Sequence, residues 1–459
     1  MRNFTYWQDY WTHTKCPAGG GFAVIKLSLG YFYEDYKRLK NIWTKSNCDY
    51  DLCRYVGTYV YFYPHPEVDF VVHFSRSYPM VVDEHTYMST HPFFLMLRKR
   101  KKIIPSRRTN PRGRQYYKIF IKPPRQSINK WFFQKQFSDT GLALIQAAAT
   151  DLTYSYIGSN SRNRLSTFQC LNPDVWVKPD WGIAASSYNF YKSYSGKKAK
   201  TLLDNKLQDY TIPENFGDQS TKLKWEKGIF NKSFLNIQYF INDLQLKTPT
   251  ITVQYNPVVD TGKGNTIYFI SVLQTSWAIP TTDRVMVWKD RPLWLMLYGV
   301  EDYILKAKGT SGALADYICV IQSPALFPRL TRYVLIGSNF LNGLTTCGTT
   351  PTGVTIDKWI FTVEDQDQAL NEIVKSGPYI PNMDGFRCSW ELKIKYKSLW
   401  KWGGALPPLK QACDPYQQEI FPVLFLFFGV SSVSVEEDSA SERCFCILLI
   451  AVLVSIPLL

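Results

Sequence analysis

The sequence predicts a mainly β protein: a sandwich or jelly roll of short strands that carries a large insertion. Three observations lead there. Aromatics are heavy, with 30 Tyr, 28 Phe and 14 Trp, and these residues fit pleated, half-buried surfaces better than helices. Gly and Pro stand at 26 each, as many strands joined by turns require. Finally, Trp390, Leu392, Ile394 and Tyr396 alternate with Glu391, Lys393, Lys395 and Lys397, the period-two pattern of a strand with one face buried.

The elements follow in chain order. Phe22 to Leu29 is an apolar run after a glycine turn. Leu29 to Trp43 carries mixed charges and reads as a short helix. Tyr55 to Tyr63 is rich in Val, Thr, Tyr and Phe and stops at Pro64; Val68 to Phe74 and Tyr116 to Ile121 are β-rich in the same way. Leu142 to Leu152 is apolar and Ala-rich, which leaves strand and helix equally open. Residues from about 155 to 250 change character. Their Ser, Asn, Asp and Pro punctuation predicts loops and short pieces without a regular core, an inserted surface-facing module. From Ile251 the apolar runs return. Asp365 to Gln368 fits a capping box, Ala369, Leu370, Ile373 and Val374 form one helix face, and Gly377-Pro378 stops it.

Charge is concentrated. Lys and Arg exceed Asp and Glu by 15, and Arg98 to Arg125 supplies twelve basic residues and no acidic one, leaving +3 for the rest. The run reads as a surface that neutralises phosphates; a solvated loop and a nuclear-localisation patch compete with that reading. Its densest part holds Arg98, Lys99, Arg100, Lys101, Lys102, Arg107, Arg108, Arg112 and Arg114. Pro105 and Pro111 keep it from being one helix, so a loop between strands is expected, and Tyr116 and Tyr117 follow as bases' stacking partners.

Enzyme signals are poor. The five histidines, His13, His65, His73, His85 and His91, form neither His-x-His nor a zinc-protease motif. Neither Gly196-Lys197 nor Gly262-Lys263 is followed by Ser or Thr, so no Walker A loop exists. The ten cysteines contain no C-x-x-C pair. No catalytic residue, metal, cofactor or small-molecule substrate is expected. Asp260-Thr261-Gly262-Lys263-Gly264-Asn265 could cradle a phosphate with its backbone N–H groups, but a tight structural turn is the better reading, because the strand–loop–helix setting is missing.

Several segments are similar to a known family. Tyr255-Asn256-Pro257 followed by Asp260, Gly262, Gly264 and Asn265 resembles the signature of the anellovirus (torque teno virus-like) capsid proteins. Pro292-Leu293-Trp294-Leu295 with Tyr298-Gly299, Ser376-Gly377-Pro378-Tyr379, and Lys401-Trp402-Gly403-Gly404 resemble later landmarks. Ser46 to Tyr55, Ile121 to Pro124 and Trp131 to Lys135 resemble earlier ones, all in the same order. The resemblance implies a single viral jelly-roll sandwich with a large spike domain inserted between late strands. On this chain that places the roll at 15–155, a variable spike tip at 156–250, the spike stem at 251–385 and the returning roll strand at 386–410. It further implies a structural role for the signature residues, a homo-oligomeric icosahedral shell around a circular single-stranded DNA genome, a host receptor, and a place in the virion, with assembly in the host nucleus or cytoplasm. Two departures stand out: the Arg-rich arm that opens family members is absent, and apolar runs occupy 411–459 where a polar region is expected. A shifted reading frame, or a start placed too far downstream, accounts for them. The alternative is a membrane-associated nucleic-acid-binding protein anchored by Cys444–Leu459.

Overall fold

The structure, a computed structural model, describes residues 2–5, 8–11, 21–48, 50–78, 80–157, 165–176, 193–214, 230–274, 276–281, 284–308, 316–346, 348–352, 361–381 and 390–404. The tail at 411–459, with its expected anchor at Cys444–Leu459, lies outside the described residues. Among those residues no helix is long and apolar enough to cross a membrane.

The chain is mainly β, with antiparallel sheets. Ten strands precede residue 150: β1 (Arg2–Thr5), β2 (Gln8–Trp11), β3 (Phe22–Leu27), β4 (Asn41–Trp43), β5 (Leu52–Phe62), β6 (Phe70–Ser75), β7 (Lys101–Ile104), β8 (Tyr117–Ile121), β9 (Phe132–Phe133) and β10 (Ala143–Ala149). Ten more follow: β11 (Ser166–Leu171), β12 (Lys198–Leu203), β13 (Lys206–Thr211), β14 (Ile237–Phe240), β15 (Thr250–Tyr255), β16 (Thr266–Ser271), β17 (Val287–Lys289), β18 (Tyr317–Gln322), β19 (Leu326–Phe327) and β20 (Leu335–Ile336). The last is β21 (Glu391–Gly403).

Two sheets make a sandwich. The larger runs β4-β1-β21-β5-β8, with β2 also on β21 and β9 also on β5; the smaller runs β3-β10-β6-β7. Ile25, Val72, Ile145 and Ala147 from the smaller sheet meet Val60, Phe62, Ile121, Leu392 and Ile394 from the larger in one cluster. The alternation at 390–397 is thus realised: Trp390, Leu392, Ile394 and Tyr396 are at most 2% exposed. Ile394 pairs with Phe62 and Tyr396 with Val60, and Trp390 packs on Phe70 at 4.9 Å between ring centres. A helix, Leu29–Lys37, lies under this core. Asp35 on it accepts a hydrogen bond from the Tyr396 hydroxyl at 2.7 Å.

In β5 the two faces change places. Cys53 and Tyr55 point to the core, and so do Val60 and Phe62. Odd and even positions can share a face only if one extra residue intervenes. Leu399 pairs with Gly57 and Trp400 with Tyr55, so the extra residue is Val56, next to Gly57, whose φ is +146°. A Cβ there would sit 2.5 Å from the Phe120 ring. Beside the bulge the Tyr55 hydroxyl donates to Thr58 at 2.7 Å, and Thr58 donates to Ser398 at 3.1 Å. The Trp400 indole donates to the same Ser398 at 2.8 Å.

The smaller sheet is covered on its other side too. Phe22, Val71 and Ala148 face away from the sandwich core into a second cluster, with Tyr255, Trp288, Trp294, Tyr298 and Ile373. That explains the ambiguous Leu142–Leu152 run: β10 is buried at all seven positions, so it lacks the alternation that marks a half-exposed strand. Gln146, the polar residue inside it, donates to Thr86 O at 3.1 Å and Thr90 Oγ1 at 2.8 Å.

The described parts of 156–250 differ from the expectation of loops without a core. Strand β11 lies inside the sheet β19-β15-β11-β20, and β13-β12-β14 form another. Trp176, Ala199, Phe234 and Ile237 join Ile318 and Val320 in a third cluster. Their strands are short, and β13 exposes five of its six residues, so the Ser and Asn between them dominated the pattern. The helix expected from Asp365 starts earlier, over Val363–Lys375. Asp365 is its third residue and accepts from the Thr362 N–H at 2.9 Å and the Thr362 hydroxyl at 3.2 Å. Thr362 is the cap.

Two outcomes are expected. Ile394→Asp buries a carboxylate with no cation beside it and should cost at least about 3 kcal/mol. Ile394→Val should cost only about 1 kcal/mol; chemical denaturation of the two variants measures the difference. The second concerns His91, which is fully buried against Trp294 at 5.0 Å and Tyr298 at 4.8 Å. Its Nδ1 accepts from Phe93 N–H at 3.2 Å, and burial lowers its pKa to about 3. The folded chain needs it neutral, while the unfolded chain protonates it near 6.5. Its contribution is therefore whole above pH 6.5 and declines as pH falls toward 3, by at most about 1.4 kcal/mol per unit. His65 and His73, also lowered mainly by burial, slope the same way. His91→Phe should make stability, followed by denaturant midpoint, fall less steeply between pH 6.5 and 4 than the parent.

Candidate nucleic-acid interface

The basic run is not one loop. Its middle forms β7, an edge strand in which Lys101 pairs with His73 and Lys102 with Val72. The loop after it is tied down: Arg107 N–H donates to His65 O and Arg108 N–H to Pro66 O, both at 2.9 Å. The Arg107 guanidinium donates to Gly113 O at 3.0 Å. Arg98, Lys99, Arg100, Lys101, Arg108, Arg112 and Arg114 are exposed, whereas Lys102 and Arg107 are half-buried. An edge strand carrying lysines resists pairing with another chain's edge.

The two tyrosines part company. Tyr117 turns toward the sandwich core, with the Lys102 ammonium 5.5 Å from its ring centre. Tyr116, just before β8, turns to the opposite side and is 46% exposed, packing on Tyr61 at 5.5 Å and Tyr63 at 6.2 Å. Tyr116 and Tyr117 do not share one groove.

Arg100 has companions that the sequence did not single out. With Arg76 and Arg125 it lines a cavity of about 330 Å³, shared with Ser77, Tyr78 and Gln126. Burial, then the Arg100 and Arg125 guanidiniums, push Arg76 below its ordinary pKa. Its guanidinium donates to Pro123 O at 3.1 Å. Three guanidiniums without a lining carboxylate suit an oxyanion. They come from the residue after β6, the residue before β7 and a short 3-10 turn, Arg125–Ser127, after β8, so no sequence spacing signals them.

The signature residues gather around one carboxylate. Asp260 is buried and accepts four hydrogen bonds: from the Tyr255 hydroxyl at 2.7 Å, Gly262 N–H at 3.0 Å, Asn265 Nδ2 at 2.7 Å and Leu293 N–H at 2.8 Å. Asn265 also donates to Arg291 O at 3.0 Å and accepts from the Ser323 hydroxyl at 2.7 Å. Gly262, at φ +85°, is required, since a Cβ would fall 2.7 Å from the Arg291 carbonyl carbon. Pro257 and Gly264 belong to the turns on either side, Gly264 at φ +80°, and the Asn256 side chain accepts from Val258 N–H at 3.0 Å. Within the loop Thr261 N–H donates to Val259 O at 3.0 Å, Gly262 N–H to Asp260 and Asn265 N–H to Gly262 O at 3.1 Å, so these three groups serve the turn rather than a phosphate. Burial first, then Asp260, raise the Tyr255 pKa well above its ordinary value. At the other landmark, Trp402 stacks between Trp43 at 5.8 Å and Trp400 at 5.7 Å. Lys401 is exposed. Gly403 lies against Trp131, and Gly404 against the Asp51 backbone. Among the described residues no group of acidic, His and Cys side chains could hold a metal ion.

Residues 1–405 match the family described as TT viral orf 1. The chain is 35% identical over 86% of its length to a protein named capsid protein from torque teno midi virus 1. It is 26% identical over 91% to a capsid protein of a human torque teno virus isolate, and 25% identical over 92% to one from torque teno mini virus 1. It spans 62% and 66% of the first two relatives' own lengths.

Replacing Asp260 by Asn tests the signature. The amide keeps the shape but turns an NH₂ toward two donors that now find a carboxylate oxygen. A loss of about 2–4 kcal/mol is expected, read by thermal or denaturant unfolding. A neutral result would remove Asp260 as the organiser of this turn.

Proposed function

The chain belongs to the TT viral orf 1 family, and on that premise we propose that it is a capsid protein whose copies assemble into an icosahedral shell around a circular single-stranded DNA genome. The observation that carries this reading is the 35% identity to a torque teno midi virus capsid protein over 86% of the chain. In this reading the sandwich is a single viral jelly roll made of 15–155 and 386–410. The body on the smaller sheet is then a spike, with 251–385 as stem and 156–250 as variable tip, the part offered to a host receptor. The role is structural and asks for no catalytic step, cofactor or small-molecule substrate. The protein resides in the virion, and assembly takes place in the host nucleus or cytoplasm. The membrane-associated alternative would rest on Cys444–Leu459, outside the described residues, and no observation favours it.

Genome contact in this reading falls to the basic run. Expression of the chain, electron microscopy and nuclease protection test assembly and packaging. Binding of single-stranded DNA should be tolerant of sequence, with a log–log salt slope of about −0.7 per phosphate neutralised. Changing Arg98 through Lys102 to Ser should flatten the slope and weaken binding alike on every sequence, with the fold checked by circular dichroism. Unchanged affinity and slope would take the run out of the interface.

A further inference from the structure

We propose that the outer face of the larger sheet is a platform on which unpaired bases of single-stranded nucleic acid stack; this rests on the capsid reading and names the surface that would hold the genome. The bulge beside Gly57 sets it up. Beyond the bulge, Tyr59, Tyr61 and Tyr63 point away from the core, and none of them enters any of the three buried clusters. On β8 and the residue just before it, the outward residues are Tyr116, Lys118 and Phe120, with Phe120 36% exposed. Tyr59 meets Phe120 at 4.5 Å. The Lys118 ammonium lies 4.3 Å from the Tyr59 ring centre and 5.6 Å from that of Tyr61. On the other flank, Lys395 pairs with Tyr61 and Lys397 with Tyr59.

The result is a row of rings, Tyr59, Tyr61 and Tyr63 half-buried and Tyr116 and Phe120 exposed, with Lys118 on one flank and Lys395 and Lys397 on the other. Rings at alternate positions of a strand stand about 6.8 Å apart, room for one flat base against each. Every base has a π-face, so such a row takes bases without regard to sequence, while the lysines meet the phosphates. A protein partner fits less well. Interface cores are depleted in lysine, and here lysines alternate with the rings. On β21 this face carries Lys393, Lys395, Lys397 and Lys401 and one acid, Glu391, 3.3 Å from Lys393, while Asp9 of β2 pairs with Lys393 across the ladder. The placement agrees with a shell. The second body occupies the far side of the smaller sheet, so a particle with that body outward turns the larger sheet inward.

The test uses the full chain and two probes of equal charge, a 30-nucleotide oligo(dT) and an abasic 30-mer with the same phosphates, titrated by fluorescence anisotropy. The parent should bind the base-containing strand more tightly, by roughly five- to a hundred-fold for each base stacked. Tyr61→Ser with Tyr116→Ser should remove most of that preference and leave abasic binding unchanged, whereas Tyr61→Phe should keep it. Lys118→Gln should flatten the salt slope on both probes by about 0.7. Equal binding of the two probes by the parent overturns the proposal even if the serine variant does not fold. Serine variants that keep the preference overturn it too, as do variants that lose assembly with DNA binding intact, which would make the face a subunit contact. Particles that form and protect DNA without any base preference would sink this proposal and leave the capsid reading standing. A chain that shows the preference but never assembles would do the reverse.

Discussion

Strand β21 lies between β1 and β5, so the larger sheet has no middle until residue 391 is reached. Everything in the sandwich depends on that insertion. Its inward residues, Leu392, Ile394, Tyr396 and Trp400, supply much of one wall of the core. The Thr58–Ser398 hydrogen bond joins residues 340 positions apart. Closing such a contact requires the intervening chain to be already compact, because loop-closure entropy has to be met before the contact rewards it. The second body satisfies that condition: it begins after β10 and ends before β21, and its own clusters need nothing from the larger sheet.

The two bodies are not loosely linked. Phe22 packs on Tyr298 at 5.2 Å and on Tyr87 at 5.3 Å. The Tyr87 hydroxyl donates to buried Asp302 at 2.7 Å, and His91 sits against Trp294. Side chains from the smaller sheet and its covering helices thus complete a core whose bulk belongs to the other body. Independent motion of the two would expose those rings and leave Asp302 without that donor inside an apolar setting, a costly state.

What the sequence reveals follows burial. Residues 390–397 were legible because one face is buried and the other wet, and the Val363–Lys375 helix because Ala369, Leu370, Ile373 and Val374 recur at helical spacing. β10 was ambiguous because both its faces are covered. The strands at 166–211 were missed because short strands with polar outward residues look like loops. The helix start was misplaced by three residues because Asp365 fits two positions of the same motif, and only Thr362 completes it. For the candidate interface, the basic run was plain as composition. Its division was not: a local count of charges cannot tell that Tyr116 and Tyr117 face opposite ways, or that Arg76, Arg100 and Arg125 converge from separate segments.

The added residue beside Gly57 makes the length of β5 as consequential as its composition. Residues before and after it are in opposite phase, so the strand has two reading phases joined at one point. A substitution elsewhere on β5 alters one contact. Loss of a single residue at 56 or 57 would instead leave two arrangements, each bad: Tyr59, Tyr61 and Tyr63 forced into the interior, or Cys53 and Tyr55 expelled from it. On this strand, then, single-residue insertions and deletions are the changes the architecture is least able to absorb.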